Sequence, residues 1–184
     1  NNLILGGVAI SYFFSAVISL IFYFSSYTDT FQMIRWMMGG LEIIGYQAFW
    51  ILIPGLIIAV SILLVQLRSL NIISASTELA RGKGVDINRV QKTVFLTASL
   101  LTALLVSYSG PIAFVGLIAP HAVRLQLGPS LNRIFLFVFL TGGLILIVTD
   151  SITRSMFYPQ DFPVGVFTGI LGGPFFLWLI FKKK

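Results

Sequence analysis

Apolar residues fill this chain in long runs, and polar residues are confined to the gaps between them. Runs that approach the ~20 residues needed to cross a bilayer as a helix recur at 3–24, 48–67, 94–107 (lengthened on its entry side by turns from Ile87), 111–127, 134–149 and 164–181. They do not alternate with period two, which excludes the strand pattern of an outer-membrane barrel. The pattern predicts an all-α, polytopic transmembrane bundle of about six spanning helices, a single membrane domain over 1–184.

The gaps carry their own signals. In 25–47, Asp29 can cap a short helix that places Phe31, Ile34, Met37 and Met38 on one side and Arg35 near the other, with Gly39-Gly40 as its stop. That helix is too short to span, so it is expected at the interface or dipping partway in, where Trp36 and Trp50 suit an aromatic belt. Pro54-Gly55 should kink the second span. The stretch 66–92 is the one long polar segment. Ser76 can cap a short helix holding Glu78, Leu79 and Ala80, Gly82 can stop it, and Asp86 can cap a second helix that runs on into the membrane. Ser109-Gly110-Pro111 reads as a tight turn with Pro111 in the first turn of the fourth span. That span is short, and Pro120 interrupts it. In the first span Gly6-Gly7, Ser15 and Ser19 break the apolar surface; such small residues allow close helix approach or line a pore.

Composition sharpens the class. The chain is 57% hydrophobic and 10% charged, with mean hydropathy +0.97, against about 25% charged residues in a soluble domain. Lipid must cover what polar residues cannot. The net charge of +6 is not a nucleic-acid signal here, because it is distributed by side. With six spans, one side holds Arg68, Arg81, Lys83, Arg89, Lys92, Arg124, Arg133 and Lys182-Lys183-Lys184, and the other only Arg35 and Arg154. By the positive-inside rule the first side, with both ends of the chain, is cytoplasmic. The chain starts at Asn1 and enters an apolar run at once, so it is expected to be part of a longer protein.

Candidate chemistry is sparse. There is no cysteine. His121 stands alone without a second ligand in its neighbourhood, which favours a structural hydrogen-bonding role over a metal site. Glu42 and Asp161 fall in outer loops, Glu78 and Asp86 in the inner stretch, and Asp150 at the outer end of the fifth span, one helical turn from Arg154. None lies at a span centre, where an ion-coupled carrier needs one. Gly82-Lys83-Gly84 lacks the spacing of a phosphate loop. No catalytic residue, metal or cofactor is expected, and any transport must draw its energy from a soluble partner on 66–92.

Several stretches resemble one family. GPIAFVGLIAPHAVR at 110–124, TELARGKGVDINRVQ at 77–91, TDSITRSMFYPQDFPVGVFTGILGGPFFLWLI at 149–180, and WMMGGL and FWILIPG before them are similar, in order and spacing, to the type II ABC importer permeases that serve iron–siderophores, haem, cobalamin and related chelates. The resemblance covers essentially the whole chain and implies the later six of the ten spans of such a permease. It implies a homodimer in a bacterial or archaeal inner membrane, a cytoplasmic ATP-binding subunit and an extracytoplasmic substrate-binding protein. It assigns Ser76, Thr77, Glu78, Arg81, Gly82, Lys83 and Gly84 to ATPase coupling, as two short helices in a cleft of that subunit, and Arg154 to the binding protein. Gly6, Gly7, Ser15, Gly165, Gly169 and Gly172 become close-approach residues at the dimer or path. A simple pair of Arg154 with Asp150 stays open beside the docking role. A channel or secondary carrier without an ATPase, or a scaffold without transport, remain the competing readings. Half a permease alone is expected not to transport.

The charge asymmetry makes one direct prediction: a membrane-impermeant amine reagent modifies Lys83 in inside-out vesicles and leaves it unmodified on intact cells.

Overall fold

The computed structural model describes residues 2–42, 46–128, 131–156, 158 and 162–182. Among the described residues there are eight helices and no strand: α1 (Asn2–Phe24), α2 (Tyr27–Met37), α3 (Gln47–Ala75), α4 (Thr77–Gly82), α5 (Ile87–Ser109), α6 (Val115–Leu127), α7 (Leu131–Met156) and α8 (Val164–Lys182). Four contain stretches long and apolar enough to cross a membrane: Ile4–Phe24, Gln47–Ala75, Ile87–Ser109 and Ile134–Met156; Val164–Trp178 is a shorter apolar stretch. Asp161, Lys183 and Lys184 lie outside the described residues.

The chain forms two compact units, Asn1–Met37 and Met38–Lys184. In the first, the Ser11 and Ser19 hydroxyls donate to the carbonyls of Gly7 (2.9 Å) and Ser15 (3.0 Å) on their own helix. Those polar atoms are satisfied within α1 and need no water. The cap of α2 differs from the expectation. Ser26, not Asp29, is the capping residue: its hydroxyl accepts from the Asp29 amide (3.2 Å) and donates to the Asp29 carboxylate (2.7 Å). Ser26 and Asp29, three apart, brace each other at the helix start, and the helix starts three residues earlier than a cap at Asp29 allows.

In the second unit α3 packs along α5, α6 along α7, and α7 also meets α3 and α8. The buried residues are small or β-branched, among them Ala48, Ala59, Ala119, Val123 and Val164, with Thr149, Thr153 and Thr168. Helices without a hydrophobic driving force between them need such residues to bring backbones close. Pro54 sits inside α3 without ending it. α3 and α7 run past their expected ends, to Ala75 and Met156. Asp150 and Arg154 are therefore helical rather than in a loop.

The fourth span departs most from expectation. α6 has 13 residues and starts at Val115, not at Pro111. Gly110 (φ 65°) ends α5, and 110–114 runs non-helical along α8. A Cβ at Gly165 would overlap the carbonyl oxygens of Met38 and Pro111; one at Gly172 would overlap the Cβ and ring of Phe114. Gly172 lies about 10 Å further along α8 than Gly165, so this segment descends beside the helix before α6 begins. Two bonds hold its upper end, Gly40 N–H to the Ser109 carbonyl (2.8 Å) and Gly165 N–H to the Gly39 carbonyl (2.9 Å). Phe114 is the non-glycine residue with positive φ (64°) among the described residues, a conformation that costs about 1–2 kcal/mol. Its ring, fitted against Gly172, holds it there.

That fit predicts that Gly172→Ala destabilises the chain by about 1–3 kcal/mol, the range for overpacking, read as a lowered unfolding temperature in detergent. Phe114→Gly in the same chain, which removes both the Cβ and the ring that an added methyl meets, should restore part of the loss, and Gly169→Ala, which meets open space, should cost nothing.

Candidate functional site

Ser76 joins α3 to α4. Its backbone is extended (φ −164°), its amide closes α3 on the Ile72 carbonyl (3.1 Å), and its hydroxyl accepts from the Leu79 amide (3.4 Å) to open α4. One residue thus ends one helix and starts the next. Thr77 and Glu78 occupy the first turn and Arg81 the last, the charge order that suits the helix dipole.

The stop is at Gly84, not Gly82. Gly84 is left-handed (φ 75°); its amide reaches the Arg81 carbonyl (3.0 Å), and the Val85 amide reaches Ala80 (2.9 Å). This bond pair is the Schellman ending, which wants glycine after the cap. Gly82 lies within α4. Asp86 then caps α5, its carboxylate accepting from the Arg89 amide (3.0 Å). The expected pair of short helices is one short helix and the head of α5. Of the polar stretch 66–92, the first ten residues finish α3 and the last six begin α5, which leaves 76–86 as the projecting knob.

Ala80 is fully buried and pins α4 between α3 and α5. Thr77, Glu78, Arg81, Gly82, Lys83 and Gly84 are exposed. So is Leu79, at 59%. Residue order does not mark Leu79 as a contact residue; its signal is an apolar side chain beside a buried alanine, on a helix too short to bury both. The knob therefore presents an apolar centre edged by Glu78, Arg81 and Lys83.

At the far end of α7, Arg154 Nε bonds Asp150 Oδ2 at 2.8 Å across one turn, with the arginine side chain half exposed. The pair anticipated from spacing is formed. Thr153 between them is fully buried and bonds the Asp150 carbonyl (3.0 Å), so this turn is anchored on its inner face. Of the small residues proposed for close approach, Gly165 and Gly172 accommodate neighbours within the chain, whereas Gly6, Gly7 and Gly169 have open space beside their Cα. Ser15 borders a shallow groove of α1 with Gly7, Ser11 and Tyr12. His121 is half-buried in α6. Among the described residues no three His, Cys, Asp or Glu side chains gather as a metal site.

Comparison with known proteins gives a consistent answer. The FecCD transport family matches residues 1–182. The cobalamin import system permease BtuC of Halobacterium salinarum is 36% identical over 184 residues, all of this chain and 49% of that protein. The hemin transport permease HmuU of Yersinia pestis is 33% identical over 187 residues (100% and 55%). The Fe(3+) dicitrate permease FecC of Escherichia coli K12 is 28% identical over 183 residues (100% and 55%). A solved inward-facing conformation of a transporter assigned to the metal-chelate ABC type superposes with TM-score 0.83 at 30% identity, over 98% of this chain and 60% of that one. The chain spans about half the length of the curated relatives it matches.

The knob's geometry predicts which residues hold it. Asp86→Ala should cost about 1 kcal/mol through the lost cap and Gly84→Val about 1–2 kcal/mol through left-handed strain, both seen as faster tryptic cleavage at Arg81 and Lys83. Gly82→Ala should slow cleavage, because alanine is the better helix former.

Proposed function

The chain belongs to the FecCD transport family, and on that premise we propose that it forms the later, membrane-spanning part of the permease of an ATP-driven importer of metal chelates. The match over residues 1–182 carries this reading. Three relatives named for cobalamin, hemin and ferric dicitrate are 36%, 33% and 28% identical to this chain, and each is matched over all of it. The proposed cargo is accordingly the class they share, a bulky metal chelate.

In this proposal the chain crosses a bacterial or archaeal inner membrane six times, with α6 and the non-helical 110–114 together making the fourth crossing. The knob 76–86 is cytoplasmic and seats in the ATP-binding subunit. Leu79 supplies the apolar contact, Glu78, Arg81 and Lys83 fix orientation, and closure of the ATPase pair moves the spans through the rigid α3–α4–α5 junction. ATP hydrolysis belongs to that subunit. Outside, Arg154 meets a carboxylate of the substrate-binding protein. A second permease copy completes the assembly, with Gly6, Gly7, Ser15 and Gly169 permitting close approach.

Capture of the ATPase subunit tests the docking assignment. Glu78→Lys, Arg81→Glu and Leu79→Asp should each lower co-purification at least about tenfold, the effect of removing a central contact. Undiminished capture by all three would remove the knob from the interface.

A further inference from the structure

We propose that the non-helical segment 110–114 faces a water-filled recess reaching about 10 Å into the membrane from the outer side, with its main-chain amides as the polar wall. The proposal rests on the permease reading in two respects, that this end of α8 is the outer one and that the recess belongs to the route of the imported solute.

Three observations carry it. First, the segment is at depth. It starts level with Gly165, in the first turn of α8, and ends against Gly172, within the apolar stretch Val164–Trp178. Second, its amides are unpaired. Among the described residues, none accepts a hydrogen bond from the Ile112, Ala113 or Phe114 amide, while Val115, Leu117 and Ile118 bond back to Ala113 and Phe114. Third, one edge is occupied and the other open. The Pro111 carbonyl is packed on Gly39 and Gly165, whereas the Ala113 side chain is exposed.

Lipid tails cannot serve three consecutive amides, and backbone outside a helix is tolerated at membrane depth only when buried in protein or facing water. A covering transmembrane helix is a poor partner, because its carbonyls are committed to its own i→i+4 bonds except in its last turn. Water satisfies every donor at once and needs no matching geometry. The interruption between α5 and α6 thereby gains a purpose: a continuous helix here would present side chains and hide its amides.

These 184 residues contain no cysteine, so with any cysteine elsewhere in the transporter replaced, labelling reports the introduced thiol alone. In the complete transporter, in right-side-out vesicles, Ala113→Cys and Ile112→Cys are treated with a membrane-impermeant maleimide. Tyr158→Cys, 86% exposed in the outer turn, and Phe139→Cys, in the apolar groove between α3 and α7, serve as references. Ala113→Cys should react within about tenfold of Tyr158→Cys and at least about a hundredfold faster than Phe139→Cys, since the thiolate forms only where water reaches it. Hydrogen exchange on the unsubstituted chain gives an independent reading: the 112–114 amides should exchange far faster than those of α7. Slow labelling with protected amides would show the segment covered by protein and overturn the proposal. Where labelling succeeds, a bulky adduct at Ala113→Cys should abolish uptake; normal uptake would place the recess off the route. Absence of chelate uptake by the unsubstituted complex would instead count against the permease reading.

Discussion

A peptide group in hydrocarbon has no solvent to turn to, and that constraint shapes the long apolar helices of this chain. Most of it is met in the simplest way, by helices whose bonds close on themselves. The serines of α1 follow the same rule, returning their hydroxyls to the preceding turn. The informative places are those where the ladder stops. At each the chain finds a local donor or acceptor, as at Ser76, Gly84 and Asp86, or else a run of amides has no acceptor among the described residues, as at 112–114.

Between α3 and α5 the stop is fully compensated. A serine cap, a glycine-terminated turn and an aspartate cap follow one another within eleven residues, and the buried Ala80 ties the short helix to its neighbours. Such a junction is stiff in itself and exposed on its surface. Those properties suit the coupling role proposed for it. The far end of α7 offers a smaller feature of similar kind, a charged pair held above the anchored Thr153.

Between α5 and α6 the compensation is tertiary. The turn around Gly39, the start of α8 at Gly165 and the segment beginning at Pro111 meet backbone to backbone, and glycine is required where a carbonyl takes the place of a side chain. Phe114 holds a strained backbone because its ring fits against Gly172. The cost of the strain is small beside the packing lost if either partner changes.

Much of this was legible from residue order. Apolar run length marked the four long apolar helices, and Ser76 and Asp86 marked their caps, because each of these properties is local. Spacing alone foresaw the Asp150–Arg154 pair. Which glycine ends α4 was not legible: Gly82 and Gly84 are equally good stops in sequence, and only the bonds from Gly84 and Val85 back to α4 choose between them. Nor could the late start of α6 be read, since Pro111 is a sound first-turn residue by local rules. It is kept out of the helix by contacts from Gly39 and Gly165, more than fifty residues away on either side. Local propensity sets where a helix is possible, and in this chain close backbone contact between distant glycines decided where it begins.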